Sequence, residues 1–381
     1  MAGFLALVGL LWPGPLGAEE APSFATVPPP PAIEARSALL LDVETGTVLY
    51  AKNPDEPMPP ASLTKIMTMY LALDDLAAGK ITLGETVPVT PEAYALARNP
   101  NLSNMFLQPD LPVTVEQIFK GIMVSSGNDA ATALAQFLAG GSEKAFVQRM
   151  NEKAASLNLR QTHFGDASGL AVDDQTTAAD MARLSRQLLL DHPEILDYSA
   201  IKKFQYNIEY EQPNYNSLLF RDERVDGLKT GHIGGVYHLV ATGSQGDLRL
   251  LAVVMGAKSM AQRADEAQAL LDWGFNHFRL WNYRETVQVS LYKGRQREAS
   301  IPVALTAVVP SGEEPAVTLT LPSYLVAPLP QGTQVGTVEA SVGGASFQAP
   351  VLLNQDLERG SFLRVLWDSL KLALLRLFGR L

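Results

Sequence analysis

The sequence predicts an α+β fold, in which an antiparallel sheet with packed helices is followed by a small all-β domain and a C-terminal amphipathic helix. Three observations support this prediction. β-like segments occur near both ends of residues 35–280, with helical segments between them. Residues 281–355 alternate apolar and polar positions and lack helical periodicity. Within residues 356–381, apolar side chains recur on one face of a helix.

The composition of the 381-residue chain excludes several classes of protein. With 47% hydrophobic residues the chain can bury a core, which excludes wholesale disorder. Forty acidic residues exceed thirty basic ones, so the net charge is −10 and no nucleic-acid partner is expected. The sequence contains no cysteine, which excludes disulfides, thiolate catalysis, zinc ribbons and iron–sulfur clusters. Its five histidines lack metal-ligand spacing, so we expect neither a metal nor a cofactor.

The amino-terminal segment is typical of an exported protein. Phe4–Trp12 is a short apolar run that ends at residues 13–15, and the small residues around Ala18 suit a cleavage site. The run is too short to span a bilayer. We therefore predict a signal peptide over residues 1–18, followed by a Pro-rich spacer over residues 19–34. The alternative is a mobile apolar terminus.

The order of elements within residues 35–280 gives this domain its mixed character. Two predicted hairpins turn at residues 44–46 and 245–246, where turn-forming residues separate alternating segments. Their strands are Ser37–Val43, Thr47–Ala51, Val236–Gly243 and Leu248–Gly256. Ala61–Leu73 is apolar on nearly every side, which indicates a buried helix. The other predicted helices are Thr114–Leu138, broken near residues 125–127, and Ala261–Phe278.

Residues 361–381 combine an apolar helix face with a mostly basic one. The apolar face contains Leu363, Leu366, Trp367, Leu370, Ala373, Leu374, Leu377 and Phe378, and the other half contains Arg364, Asp368, Lys371, Arg376 and Arg380. This many charges do not suit a spanning helix, but they suit one that lies in a lipid headgroup layer. We therefore predict a membrane-surface anchor. The alternatives are a helix packed on its own domain and a dimerisation helix, and the sequence leaves the oligomeric state undetermined.

The first motif with chemical potential is Ser62-Leu63-Thr64-Lys65. The preceding prolines place a helix start near Ala61, so Ser62 lies in a first turn whose free N–H groups favour negative charge. Lys65 lies three residues later and shares a face with Ser62. A serine hydroxyl needs a base, and a lysine in an apolar site can lose its proton. Taken alone, however, the motif is better explained by a capping serine and a surface lysine.

The second motif, Ser126-Gly127-Asn128, interrupts a helical stretch. A loop at this point can present a hydroxyl that relays a proton and a carboxamide that holds a substrate amide. Taken alone, it is better explained as an ordinary turn or a helix cap.

The third motif, Lys229-Thr230-Gly231, is followed by His232. A strand with a glycine allows close approach of an extended substrate, while the lysine and the threonine hydroxyl suit a terminal carboxylate. An exposed edge strand without function is the alternative.

The three motifs together, in this order, are the signature of penicillin-binding proteins and serine β-lactamases. The chain resembles the low-molecular-mass D-alanyl-D-alanine carboxypeptidases of the anchored type, penicillin-binding proteins 5 and 6, over residues 35–355. The resemblance also includes Leu41–Leu49, Phe164–Leu170, Thr177–Met181, Asp226–His232 and residues 263–274. It implies a penicillin-binding protein/serine β-lactamase-like transpeptidase fold, with a β-module and a basic amphipathic tail.

What the resemblance implies for catalysis is a serine acyl-transfer cycle on peptidoglycan stem peptides. Ser62 would attack the carbonyl between the two terminal D-alanines, Lys65 would take its proton, and Ser126 would pass a proton to the leaving amine. The oxyanion would lie between the N–H groups of Ser62 and His232. Asn128 would hold the acylated peptide. The residues that would bind the leaving D-alanine are Lys229, Thr230, Gly231 and Arg263.

The resemblance further implies partners and a location. β-Lactam antibiotics would trap Ser62 as a slow ester. The enzyme would work at the periplasmic face of the bacterial inner membrane, held peripherally by residues 361–381. The chain departs from many relatives at Ile233, where they carry threonine, and at Gly234-Gly235, where it is a residue short. These departures leave the substrate contacts of that strand open.

Three other functions compete with the carboxypeptidase hypothesis. A related endopeptidase would cut cross-links, but such enzymes usually lack the β-module and tail. A β-lactamase often deacylates through a loop glutamate, whereas residues 164–175 contain Asp166, Asp173 and Asp174 but no glutamate. An inactive penicillin-binding or membrane-surface scaffold would carry a broken motif, and the motif here is intact.

Overall fold

The computed structural model describes Phe24 and residues 26–377, which form two compact units. The first unit is Pro29–Asn276, and the second contains residues 277–377 with Phe24 and residues 26–28. The predicted signal peptide, the start of the predicted spacer, and Phe378 and Arg380 of the predicted anchor lie outside the described residues.

The first unit contains eight described helices and seven described strands. The helices are α1 (Lys65–Ala77), α2 (Pro91–Ala97), α3 (Val115–Met123), α4 (Asn128–Leu138), α5 (Glu143–Ser156), α6 (Ala178–Asp191), α7 (Ile195–Ser199) and α8 (Met260–His277), the last of which ends at the unit boundary. The strands are β1 (Ser37–Asp42), β2 (Val48–Lys52), β3 (Lys203–Phe204), β4 (Gln212–Pro213), β5 (Val225–Ile233), β6 (Val236–Gln245) and β7 (Leu248–Ala257).

A five-stranded antiparallel sheet organises the first unit, with strand order β2-β1-β7-β6-β5. β1 and β2 form the first predicted hairpin, in which Gly46 has a φ of +77°. β6 and β7 form the second, in which Gln245 pairs with Leu248 across the predicted turn. The α+β prediction is therefore confirmed. The first two strands of the sheet precede helices α1–α7 in the sequence, and its other three strands follow them. β5 becomes the last strand of the order.

The predicted buried helix is α1, preceded by one turn of 3₁₀ helix over Ala61–Thr64. Residues 65–73 are buried, and α1 packs against α4, α5 and α6. The predicted helix over residues 114–138 is broken as expected, because α3 ends at Met123 and α4 begins at Asn128. The turn between them is thereby held inside the packed helices.

The second unit contains two three-stranded sheets. Its strands are β8 (Phe278–Tyr292), β9 (Glu298–Pro310), β10 (Ala316–Thr320), β11 (Tyr324–Val326), β12 (Gln334–Val342) and β13 (Ala345–Leu352). The orders are β11-β8-β9 and β10-β12-β13, and β9 packs against β13. In β9, Ala299, Ile301 and Val303 are buried while the residues between them are exposed, which is the alternation expected of a half-buried strand. Phe24 packs its ring on Phe278 in the same unit.

The last described element is α9 (Phe362–Leu377). The exposed side chains of this helix include Leu363, Leu366, Trp367, Leu370, Leu374 and Leu377, all of which belong to the predicted apolar face. Asp368 and Leu372 are buried. Among the described residues, no helix is both long and apolar enough to cross a membrane.

The close packing of α8 on the sheet gives a test of the fold. A Cβ atom at Gly274 would lie 2.4 Å from Leu250 Cδ1 on β7 and 3.1 Å from Leu40 Cδ2 on β1. Gly274→Val should therefore lower the free energy of unfolding by about 2 kcal/mol, because both leucines are fully buried and cannot move aside. Urea denaturation measures the change. Gly84→Val is the control, since a Cβ there meets open space. Equal stability of the two variants would contradict this packing.

Candidate active site

The turn that carries Ser62 is fixed by its neighbours on both sides. Ala61 adopts a φ of +50°, a left-handed conformation that an alanine rarely takes. A Cβ at Gly169 would lie 1.9 Å from the carbonyl oxygen of Ala61, so only glycine fits where this segment crosses the turn. On the other side, a Cβ at Gly231 would lie 2.9 Å from the carbonyl oxygen of Pro60. The 3₁₀ turn is therefore clamped between a loop and β5.

Lys65 lies beneath this turn and is completely buried. Its Nζ is 3.0 Å from Ser62 Oγ, and it donates to Asn128 Oδ1 at 2.8 Å and to the carbonyl oxygen of Ser168 at 2.7 Å. The predicted pairing of Ser62 with Lys65 therefore exists, and an oxygen from each of three segments faces the lysine nitrogen.

Burial lowers the pKa of Lys65 to about 7. The more distant carboxylates of Asp166, Asp129 and Asp174 raise it and so limit the decrease. At neutral pH a large fraction of this amine is unprotonated, and a neutral amine has a lone pair that can accept the Ser62 proton.

The Ser126-Gly127-Asn128 turn links α3 to α4, and Ser126 has a φ of +54°. Both Ser126 and Asn128 are buried. The backbone N–H and the Nδ2 of Asn128 each donate to the carbonyl oxygen of Ser103 at 2.9 Å. The Asp129 carboxylate accepts from the backbone N–H groups of Met105 and Leu107, so the segment after Ser103 is also held against this turn.

The third motif lies on β5, and its lysine reaches the second motif. Lys229 Nζ donates to Ser126 Oγ at 2.9 Å and to the carbonyl oxygen of Thr230 at 3.1 Å. Burial lowers the pKa of Lys229 well below its usual range, and the charges of Lys65 and Arg263 lower it further. A proton on this nitrogen is therefore unusually easy to pass to its neighbour.

Arg263 projects from α8 toward the end of β5. Its guanidinium donates to the carbonyl oxygens of Gly231 at 2.9 Å, His238 at 3.3 Å and Tyr215 at 3.4 Å. Burial lowers the pKa of Arg263 to about 10. Within the described part of the chain it forms no ion pair with a carboxylate, so its positive charge is available to an anionic ligand.

His232 and Tyr237 stack across the β5–β6 hairpin, with ring centroids 4.3 Å apart. The hairpin turns at Gly234-Gly235, both with positive φ, and Ile233 pairs with Val236. Two positive φ values in a two-residue loop define the tight turn for which glycines are suited. With this turn, Lys229 and Thr230 remain paired with β6.

The three motifs and Arg263 meet in one groove of about 330 Å³. Its lining includes Ser62, Ser126, Asn128, Thr230, Gly231, His232 and Arg263, together with Leu102, Leu170, Tyr215, Ile233, Tyr237 and Met260. The structure thus brings together all nine residues that the sequence singled out, with Lys65 and Lys229 reaching the groove through their serine partners. The apolar and aromatic side chains of its rim were not predicted.

Sequence reasoning also missed the loop that supplies the Ser168 carbonyl. The Asp166 carboxylate accepts from the backbone N–H groups of Ser168 at 2.7 Å and Leu170 at 2.9 Å, which shapes the loop before it crosses Ala61. An aspartate two residues before a Ser-Gly pair is a turn signal that can be recognised in a sequence. That the turn aims a carbonyl at Lys65 depends on the fold.

Comparisons with known proteins agree with this geometry. The family model described as D-alanyl-D-alanine carboxypeptidase matches residues 24–259. The chain is 38% identical to the D-alanyl-D-alanine carboxypeptidase DacC of Escherichia coli strain K12, over 92% of this chain and 90% of the relative. Its structure is similar to penicillin binding protein 5 of Haemophilus influenzae, with a TM-score of 0.80, 33% identity and coverage of 87% of this chain and 100% of the other.

A further structural relative was solved with a ligand. Penicillin-binding protein D2 of Listeria monocytogenes, in its ampicillin-bound form, has a TM-score of 0.58 and 28% identity, and covers 65% of this chain and 100% of its own. The matches with DacC and penicillin binding protein 5 extend through the β-domain, which favours the carboxypeptidase hypothesis over the other three. The chain belongs to the D-alanyl-D-alanine carboxypeptidase family, and it is a serine-type carboxypeptidase with a penicillin-binding protein fold.

Proposed function

We propose that Ser62 is the nucleophile and Lys65 its general base in removing the terminal D-alanine from peptidoglycan pentapeptide stems. The observation that carries the proposal is the 3.0 Å distance between Lys65 Nζ and Ser62 Oγ, at a lysine whose pKa burial lowers to about 7. A neutral amine at hydrogen-bonding distance is what a serine nucleophile requires.

The contacts of Lys65 favour this direction of proton transfer. The carbonyl oxygens of Asn128 and Ser168 can only accept, so they take two hydrogens of the amine. A neutral amine has two hydrogens, and its lone pair is then left for the hydroxyl hydrogen of Ser62. The proton moves to Lys65 as Ser62 Oγ bonds to the substrate carbonyl carbon.

The leaving amine needs a proton, and we assign its delivery to Ser126. Ser126 Oγ accepts a hydrogen bond from Lys229, whose pKa is lowered by burial. The Ser126 hydroxyl can therefore donate its hydrogen to the leaving amine while Lys229 supplies a proton to Ser126 Oγ. The oxyanion lies between the backbone N–H groups of Ser62 and His232. Asn128 uses one Nδ2 hydrogen on Ser103, which leaves the other for the carbonyl of the acylated peptide.

The terminal carboxylate of the leaving D-alanine binds near Thr230, Arg263 and Lys229. Arg263 supports this assignment because the hydrogen-bond partners of its buried guanidinium are backbone carbonyls, including that of Gly231 on β5, and not carboxylates. Gly231 allows the turn that carries Ser62 to lie close to this strand. The same position suits the carboxylate of a β-lactam. Such an antibiotic acylates Ser62 in place of the peptide.

We further propose that the enzyme is exported and held at the periplasmic face of the inner membrane. The apolar run before Ala18 and the exposed apolar face of α9 support this location. Arg364, Lys371 and Arg376 give the helix the positive charge that anionic lipids attract.

Ser62→Ala should lower the rate of D-alanine release from a soluble pentapeptide by at least about 10³-fold, because no other group supplies the acyl-enzyme oxygen. The melting temperature should be nearly unchanged. Ser156→Ala, at the exposed end of α5, is the matched control and should keep full activity. Near-normal release by Ser62→Ala would exclude Ser62 as the nucleophile.

The rate of acylation should depend on pH through Lys65. Its base is the neutral amine, so kcat/KM should increase about tenfold per pH unit below pH 7 and level off above it. Stopped-flow acylation by a chromogenic cephalosporin measures the profile, with melting curves at each pH as the control. A flat profile from pH 5 to 8 in folded protein would contradict the assignment of Lys65.

Deleting residues 360–381 should release the protein from vesicles of anionic lipid, because the exposed apolar face of α9 is removed. Activity on the soluble pentapeptide should remain. Vesicle co-sedimentation measures the loss, with Ser369→Ala as a control that leaves the apolar face intact. Continued sedimentation of the truncated protein would refute anchoring by this helix.

A further inference from the structure

The polar face of α9 is packed on the turn that connects β8 to β9. Asp368 lies on this face and is only 3% exposed. Its Oδ2 accepts from the backbone N–H of Lys293 at 2.6 Å and forms an ion pair with Arg364 Nε at 2.9 Å. Arg364 also donates to the carbonyl oxygen of Leu291 at 3.2 Å. The buried carboxylate of Asp368 therefore joins the helix to the β8–β9 turn of the same unit.

Two further contacts hold the same region. The backbone N–H of Gly360 donates to the carbonyl oxygen of Lys293 at 2.8 Å, and a Cβ at Gly360 would lie 2.6 Å from the carbonyl oxygen of Gly294. Farther along the helix, Lys371 Nζ lies 5.3 Å from the centre of the Tyr292 ring. The start of α9 thus follows the backbone of the turn closely, with no room for a flexible connection.

A buried carboxylate is stable only where hydrogen-bond donors or positive charges contact it, so it favours one arrangement of the surrounding groups. If α9 rotated about its axis, the Asp368 carboxylate would lose both the Lys293 N–H and its place beside the turn, and a buried charge left without partners is costly. At 100° per residue, Asp368 and Leu372 lie on the side of the helix opposite to Leu366, Leu370 and Leu377. Fixing Asp368 therefore fixes the direction of the apolar face.

We infer that Asp368 clamps α9 to the β-domain, so that helix and domain meet a lipid surface as one rigid body with the apolar face directed away from the domain. This inference rests on the proposed membrane association. It assigns Asp368 a positioning role that amphipathicity alone does not require, because a loosely tethered helix would bind lipid equally well.

The clamp can be tested by distance measurements between spin labels on introduced cysteines. The sequence contains no cysteine, so the labels attach only at the chosen positions. Spin labels are attached to the double variant Thr318→Cys/Ala373→Cys, one on β10 and one on the exposed side of α9. Double electron–electron resonance should give one narrow distance distribution. Adding Asp368→Ala should roughly double its width, because α9 then loses the buried carboxylate contact that fixes its rotation about its axis. Gly360→Val should broaden it as well, through a different contact.

Glu358→Gln is the matched control, since it alters an exposed carboxylate near the same turn, and it should leave the distribution narrow. Acylation by benzylpenicillin and the melting temperature show whether each variant is folded. A narrow distance distribution in the folded Asp368→Ala and Gly360→Val proteins would overturn the inference. So would a broad distribution in the doubly labelled protein that carries neither substitution.

Vesicles of phosphatidylglycerol and phosphatidylethanolamine separate this inference from the proposed anchoring. The labelled protein should bind them with its distance unchanged, and Asp368→Ala should bind within about threefold, because its apolar face is intact. A distance that changes or broadens on binding would refute the rigid body. If no protein binds vesicles, the proposed anchoring fails, while the distances in solution still decide whether Asp368 clamps the helix.

Discussion

The active site depends on how a lysine is accommodated in a fully buried position. Among the described residues no carboxylate contacts Lys65 directly, and its nitrogen instead faces the oxygens of Ser62, Asn128 and Ser168. Oxygen dipoles compensate a buried ammonium less completely than a paired carboxylate does, so the pKa falls to about 7. Each oxygen belongs to a different segment. The lysine is therefore both the proposed base of the reaction and the group around which the three segments are arranged.

The antiparallel sheet explains why these segments meet. β5 is the last strand of the order and contacts the 3₁₀ turn of Ser62, while α1 begins directly after that turn. The contact depends on small residues, since Gly231 faces Pro60 from β5 and Gly169 faces Ala61 from the loop. The strained φ values of Ala61 and Ser126 lie at the two points where serine hydroxyls are presented. Such strain persists only where surrounding packing fixes the backbone, and at Ala61 that packing comes from β5 and the loop of Gly169.

Much of this arrangement could be predicted from sequence, and the rest could not for physical reasons. Periodicity and turn residues located both hairpins and α1, and the motifs identified the reactive side chains. Thr90 and Thr177 cap the first turns of α2 and α6, and such capping residues can be recognised in a sequence as helix starts. By contrast, the Ser168 carbonyl has no side-chain signature, because any residue has a carbonyl. The two faces of α9 were apparent from its periodicity, but periodicity does not tell that Asp368 packs inward.

The two buried lysines contact different serines of the groove, Lys65 with Ser62 and Lys229 with Ser126. The charge of Lys65 lowers the proton affinity of Lys229, and the charge of Arg263 adds to this effect. Interacting groups of this kind share their protons according to the local field. A substrate carboxylate near Thr230 and Arg263 brings negative charge closer to Lys229 than to Lys65. On the roles proposed above, a bound carboxylate would favour the proton on Lys229 beside Ser126 and leave Lys65 neutral beside Ser62.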